Sequence, residues 1–307
     1  MTTALNPSVV RDRRFSRIAA LPFTRIGASE GAARGSVRAI REVFQHRELL
    51  GLLVRRDLKA RYKDSTLGFL WSLIRPLTQL AIYYVVVGHF LGAARGIEDF
   101  AIYIFAGLTA FGLFSDTVVG GTGSIVGNAG LVKKVYLPRE IFPLASLGGA
   151  LFNFAIQLGI LLVATLAIGH FPLSWRLLYA IPAILLLTVW GLAFGIALAA
   201  ANVTLRDVQY IVEVVMMLLF WASPIVYSWS MVQGVTGNGV LLEVYTDNPV
   251  TLAVLGFQKA FWVGGSPHSF PPDLMLRMGI AFVLGLIALF GAQSLFSRLQ
   301  GDFAQAL

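Results

Sequence analysis

Six stretches of this chain, at about 67–92, 100–126, 141–168, 177–201, 208–229 and 274–297, are apolar almost throughout. A helix needs about 20 apolar residues to cross the hydrocarbon core of a bilayer. Inside lipid every backbone N–H and C=O must be satisfied within the protein, which makes such runs helical. The chain therefore reads as an all-α polytopic membrane protein with six transmembrane helices. Its composition agrees, with 57% hydrophobic and 13% charged residues, where a soluble domain carries about 25% charged. A seventh apolar piece, "VTLAVLGFQKAFWVG" at 250–264, is too short for a comfortable crossing and holds Lys259, so it reads as interfacial or re-entrant. Six crossings put both termini on one side.

Which side follows from the lysines and arginines near the span ends, because basic loops stay on the cytoplasmic face. Arg47, Arg55, Arg56, Lys59, Arg61, Lys63, Lys133, Lys134, Arg139, Arg206 and Arg298 fall on one side, against Arg95, Arg176, Lys259 and Arg277 on the other. Both termini are thus expected in the cytoplasm, and the 230–273 segment, rich in turn signals, outside. The net charge of +8 follows this membrane pattern rather than a nucleic-acid footprint. Residues 1–36 show little periodicity and read as a poorly ordered basic tail, and 299–307 as a second cytoplasmic tail. Between tail and bundle, 37–66 reads as an amphipathic helix lying in the interface, where Arg55, Arg56, Lys59, Arg61 and Lys63 meet anionic headgroups. The plainer alternative is a solvated face with an Asp57–Arg61 pair.

Enzyme motifs are scarce. With no cysteine and four histidines in separate segments, thiolate chemistry is excluded and a metal site is not expected. "GGTGSIVGNAG" at 120–130 lacks the G-K-[ST] ending of a phosphate loop, so it reads as close helix packing, and no cofactor is expected on this chain. Two acids fall inside spans, Asp116 and Glu213; each could carry a proton, pair between helices or face a polar lumen. Trp71, Trp175, Trp229 and Trp262 lie where an aromatic belt belongs, whereas Tyr83, Tyr84, Phe220 and Trp221 fall deeper. With Asp116, these deeper aromatics are the lumen candidates, because aromatic faces stack on sugar rings.

Four segments in order carry a family resemblance: "RYKDSTLGFLWSLIRPLTQLAIYYVVVGHFLG" at 61–92, "GLVKKVYLPREIFPLAS" at 130–146, "RDVQYIVEVVMMLLFWASPIVYS" at 206–228 and "NPVTLAVLGFQKAF" at 248–261. Together they resemble the permease subunit of type-2 ABC exporters, in the branch that exports lipid-linked polysaccharides such as O-antigen, teichoic acid and galactan. The resemblance implies a half-transporter: two copies around one conduit in the bacterial plasma membrane, each docked to a separate ATPase subunit that holds ATP and Mg. It implies a coupling helix between the second and third spans, at about 130–140. The matching positions run from Val132 to Glu140: Lys133, Lys134, Arg139 and Glu140 make polar contacts, Val135, Tyr136 and Leu137 fill the ATPase groove, and Pro138 starts or kinks the next helix. It further implies a cytoplasmic gate at Arg206 and Asp207 and short re-entrant helices in the outer leaflet.

The expected function is ATP-driven export of a lipid-linked glycan whose pyrophosphate meets the basic helix. Three alternatives stay open: a drug or haem exporter of the same superfamily, a secondary transporter run by Asp116 or Glu213, and a membrane glycosyltransferase using Asp247 or Asp273.

Overall fold

The computed structural model describes residues 45–63, 67–135, 137–265 and 269–307. Among them the chain is helix and turn without a strand. Helix α1 is Arg47–Tyr62. The first span combines a 3-10 turn Gly68–Leu70, helix α2 Trp71–Ile82 and a wider π-type stretch Tyr83–Phe90. Then follow α3 Phe100–Gly127, α4 Ala129–Lys134, α5 Ile141–Ile168, α6 Ala180–Thr204 and α7 Val208–Trp221. Three short helices come next, α8 Trp229–Thr236, α9 Val240–Thr246 and α10 Pro249–Phe261, before α11 Leu274–Leu299.

Five of these segments are long and apolar enough to cross a membrane: Gly68–Phe90, Phe100–Gly127, Ile141–Ile168, Trp175–Thr204 and Leu274–Leu299. The fifth expected span, 208–229, ends earlier than its hydropathy suggests, since α7 stops at Trp221. Fourteen residues reach only about 21 Å at 1.5 Å per residue. The reason is local: Pro224 donates no N–H and disfavours helical backbone at Ser223, so the chain turns through 222–228. The freed carbonyls are not left bare. Tyr103 Oη lies 2.9 Å from Pro224 O and 2.7 Å from Tyr227 O, and Gln258 Nε2 donates to Pro224 O at 2.8 Å. Irregular backbone at membrane depth is tolerated only when buried against such partners.

Helix α10 is the interfacial or re-entrant piece of the sequence reading. It is capped by Asn248, whose side chain accepts from Val250 N, and begins with Pro249. Its residues from Val250 to Phe261 are buried but for Lys259, so it is part of the core rather than a surface helix. Trp229 and Trp262, expected in the aromatic belt, are buried too. Their indole N–H groups donate to Thr246 Oγ1 at 2.9 Å and to Glu98 O at 2.6 Å. Trp71 and Trp175 remain exposed.

The glycine-rich run does serve close packing. A Cβ added to Gly121 of α3 would lie 2.9 Å from Cα of Gly195 on α6, and one on Gly191 would meet Thr117 at 3.0 Å. Helices associate in lipid chiefly through such small-residue contact, because water supplies no hydrophobic force there. Replacing Gly121 by Leu is expected to push α3 and α6 apart and cost about 1–3 kcal/mol or more from overpacking. Thermal melting of the purified protein should show a marked loss, whereas Gly127→Ala, with open space around it, should melt like the parent.

Candidate functional site

The 128–140 connection is anchored from below and within. Asn128, which ends α3, donates from Nδ2 to Ser124 O at 2.8 Å, and its Oδ1 accepts from Arg56 Nη2 at 2.6 Å. Val132 is buried in a small core with Leu53, Ile125, Ile141, Phe142, Phe296 and Phe303. Lys133, Lys134 and Val135 point outward, Leu137 and Pro138 are half-buried, and Tyr136 lies outside the described residues. The half-buried Arg139 places its guanidinium 5.5 Å from the Phe303 ring centre. Glu140 is 5% exposed, and its Oε1 accepts from Gln293 Nε2 of α11 at 2.8 Å. The nine contiguous residues therefore divide into an outward patch, Lys133 to Val135, and inward anchors, Val132 and Glu140.

The five cations of the basic helix divide in the same way. Helix α1 does not lie free on a surface: Leu53 is buried, and Val54 packs so closely on Gly148 of α5 that a Cβ there would sit 2.5 Å from its methyl. Arg56 reaches Asn128 and pairs with Asp57, so the alternative Asp57–Arg61 pair is not the one formed. Arg61 instead donates from Nη1 to Asn153 Oδ1 of α5 at 3.3 Å. Arg55, Lys59 and Lys63 are exposed, with no partner seen among the described residues.

Arg61 leads to the first of the intramembrane acids. Asn153 Nδ2 donates to Asp116 Oδ2 of α3 at 2.8 Å, so cation, amide and carboxylate from three helices form one relay. Glu213 sits elsewhere, on α7, where its Oε1 accepts from Gln209 Nε2 at 3.3 Å. Gln209 N in turn donates to Asn202 Oδ1, and Asn202 Nδ2 to Thr122 O at 3.1 Å. Arg206 and Asp207, exposed in the turn between α6 and α7, lie at the same end of the bundle as the 128–140 connection. Among the aromatics, Phe220 is buried between Tyr83, Phe111 and Trp221 at 5.4–5.7 Å. Tyr84 packs edge-on against His89, and Trp221 is 55% exposed.

The opposite end carries its own polar work. Arg277 Nη1, in the first turn of α11, donates to Glu243 Oε2 at 2.6 Å and Asp247 Oδ1 at 2.7 Å, which ties α9 to the bundle. Burial, reinforced by the Tyr227 hydroxyl 3.4 Å away, raises the pKa of Tyr245 above its ordinary value and keeps it neutral. Lys259 lies 4.3 Å over the Tyr179 ring, beside an open groove of about 970 Å³ lined mainly by α11. No group of three His, Asp or Glu is close enough to hold a metal among the described residues.

The residues that sequence reasoning overlooked are neutral amides, Asn153, Gln157, Asn202, Gln209 and Gln293. Inside an apolar run an amide carries no charge to mark it. The available signal was the i, i+4 spacing of Asn153 and Gln157, which puts both on one face of α5.

Comparison with known families now settles the class of this bundle. The ABC-2 type transporter family matches residues 48–262. The chain belongs to that family. The match starts inside α1 and ends just after α10, so it takes in the basic helix, the 128–140 connection and the buried short helix. The O-antigen export system permease protein RfbA of Myxococcus xanthus is 32% identical over 271 residues, covering 88% of this chain and 100% of that protein. A protein of the same name from Klebsiella pneumoniae is 27% identical over 85% of this chain and 95% of its own length. The polysialic acid transport protein KpsM of Escherichia coli is 22% identical over 57% of this chain and 68% of its own length.

The two kinds of residue in the 128–140 connection are separable by experiment. Glu140→Ala strips a buried amide of its acceptor and is expected to destabilise the chain by about 1–3 kcal/mol, read as a lower melting temperature. Lys134→Glu, on the exposed patch, should leave melting unchanged and weaken association with the cognate ATPase in a pull-down; equal binding by both proteins would make the patch a topological signal only.

Proposed function

We propose that this ABC-2 family member is the membrane-spanning permease of an ATP-driven exporter that carries a lipid-linked polysaccharide, of O-antigen, teichoic acid or galactan type, from the cytoplasmic face across the plasma membrane. The observation that carries this is the full-length match to an O-antigen export permease at 32% identity. The reading takes two copies of the chain around one conduit, with both termini in the cytoplasm. ATP and Mg are held by a separate ATPase subunit, a reading supported by the glycine-rich 120–130 run, which lacks the G-K-[ST] ending of a phosphate loop. Lys133, Lys134 and Val135 are the contact the chain offers to that partner, and Glu140 transmits displacement into α11 through Gln293. As the ATPase moves, α4 and the start of α5 shift as one body, since Val132 is buried in one core with Ile141 and Phe142.

Arg55, Lys59 and Lys63 are the cations of the basic helix left available for a lipid pyrophosphate, while Arg56 and Arg61 hold the helix in place. Arg206 and Asp207 flank the same entrance. Exposed Tyr84 and Trp221 offer faces on which a sugar ring can stack.

The chain and its ATPase, reconstituted in vesicles loaded with a lipid-linked polysaccharide, should translocate that glycan only when ATP is supplied; export of an unrelated amphiphile alone would assign a different substrate class. In the same vesicles, Arg55→Glu with Lys59→Glu is expected to reduce export several-fold while the subunits still co-purify. Undiminished export would remove the basic helix from headgroup capture.

A further inference from the structure

Asp116, Asn153 and Gln157 occupy the same depth of the bundle. Asn153 lies roughly 18 Å along α5, a helix of about 42 Å, and Asp116 faces it from α3. Polar side chains in the middle of a bilayer are costly unless they face a protein partner, water or a polar ligand. Some of these groups have hydrogen-bonding capacity left over. The Gln157 amide reaches within 3.5 Å of the site a Cβ would take on Gly112, and no hydrogen-bond partner is seen for it among the described residues. Across α3, Gln209 Oε1 is buried with no partner seen among the described residues, 3.2 Å from the corresponding site on Gly123. Asp116 itself is exposed at the surface of the chain.

The row is built rather than scattered. From α5 come Asn153 and Gln157, one helical turn apart, from α3 Asp116, and from α7 Gln209 and Glu213 on the other side. Gly112 and Gly123 of α3 leave space beside the two glutamines instead of filling it. Arg61 and Asp116, joined through Asn153, balance in charge, and Glu213, which accepts from the neutral Gln209 amide, leaves the face one net negative charge. What it presents is a set of amides, each both donor and acceptor, and two carboxylate acceptors.

We infer that this face of α3, α5 and α7 is the part of the conduit that binds sugar units of the exported glycan, with Asn153, Gln157, Asp116 and Gln209 bonding to their hydroxyls. The inference rests on the proposed export function and names the surface on which the glycan runs. Neutral hydrogen bonds to hydroxyls are individually modest and interchangeable from unit to unit. A row of them holds a repeating polymer in register yet releases it stepwise, as conduction along any multi-site path requires. The apolar faces of the same helices have nothing to offer a hydroxyl, which is why the glycan stays on this one.

The chain contains no cysteine, so a single introduced thiol can be followed by its rate of labelling. Gln157→Cys would probe the proposed face. Ala155→Cys is its control, exposed at the same depth on the opposite side of α5. The full complex in lipid nanodiscs is treated with a small hydrophilic maleimide, with and without a polyprenyl-diphosphate-linked oligosaccharide. The thiolate is the reacting form, and each pKa unit added by a lipid environment removes tenfold of it. The thiol at 157 should therefore react at least about tenfold faster than that at 155, and the oligosaccharide should slow it several-fold without affecting 155. Equal rates at the two positions would overturn the inference, since the face would then be lipid-covered or sealed against a second copy. Fast labelling that the oligosaccharide does not slow, in a complex that exports the same compound from vesicles, would also overturn it while leaving the export reading intact. A complex that exports no lipid-linked glycan removes the export reading itself, and the inference with it.

Discussion

Where Gly121 of α3 lies against Gly195 of α6, no side chain separates the two backbones, and the bundle is arranged around that contact. In lipid the association of helices comes from packing and hydrogen bonds, so a seam with backbones in contact is worth more than another layer of leucines. Most of α3 is buried as a result, including Phe105, Phe114 and Ile125. Its remaining exposed strip, with Asp116 and Gly120, is the polar one. Burial on one side of α3 thereby decides that its polarity faces the other.

The same economy governs the break after α7. Helical backbone is abandoned through 222–228, and Tyr103 and Gln258 take up the carbonyls this frees. That arrangement needs α10 to be inside the core, because Gln258 belongs to it. A helix of 13 residues cannot cross a bilayer, yet α10 contributes Val250 to Phe261 to the centre of one end of the bundle. The short helices α8 and α9 are joined to each other by Trp229 and Thr246, and α9 to α11 by Arg277 with Glu243 and Asp247. Export of a bulky polymer needs an end of the bundle that can rearrange, and short helices joined by turns rearrange more readily than continuous spans.

At the other end, exposed charge and buried anchors meet in a small area. The exposed Lys133 and Lys134 lie on the connection that Glu140 fastens to α11 and Arg56 fastens to α1. That connection is therefore fixed by hydrogen bonds to both the basic helix and the last span. The relay from Arg61 through Asn153 to Asp116 carries such bonds to the middle of the membrane.

The apolar runs and the basic segment before the first of them were legible from residues alone, because a bilayer forces helices on any apolar run whatever its neighbours. The family was legible too, since its motifs are contiguous. The end of α7 was half legible: Pro224 marks it, but hydropathy alone runs on to 229. What only the tertiary structure decided is which polar groups face which way. Glu140 and Gln293 are 153 positions apart, and Asp116 and Asn153 are 37 apart. Sequence determined that helices form here; the faces they present were set by hydrogen bonds between distant residues, which no local pattern encodes.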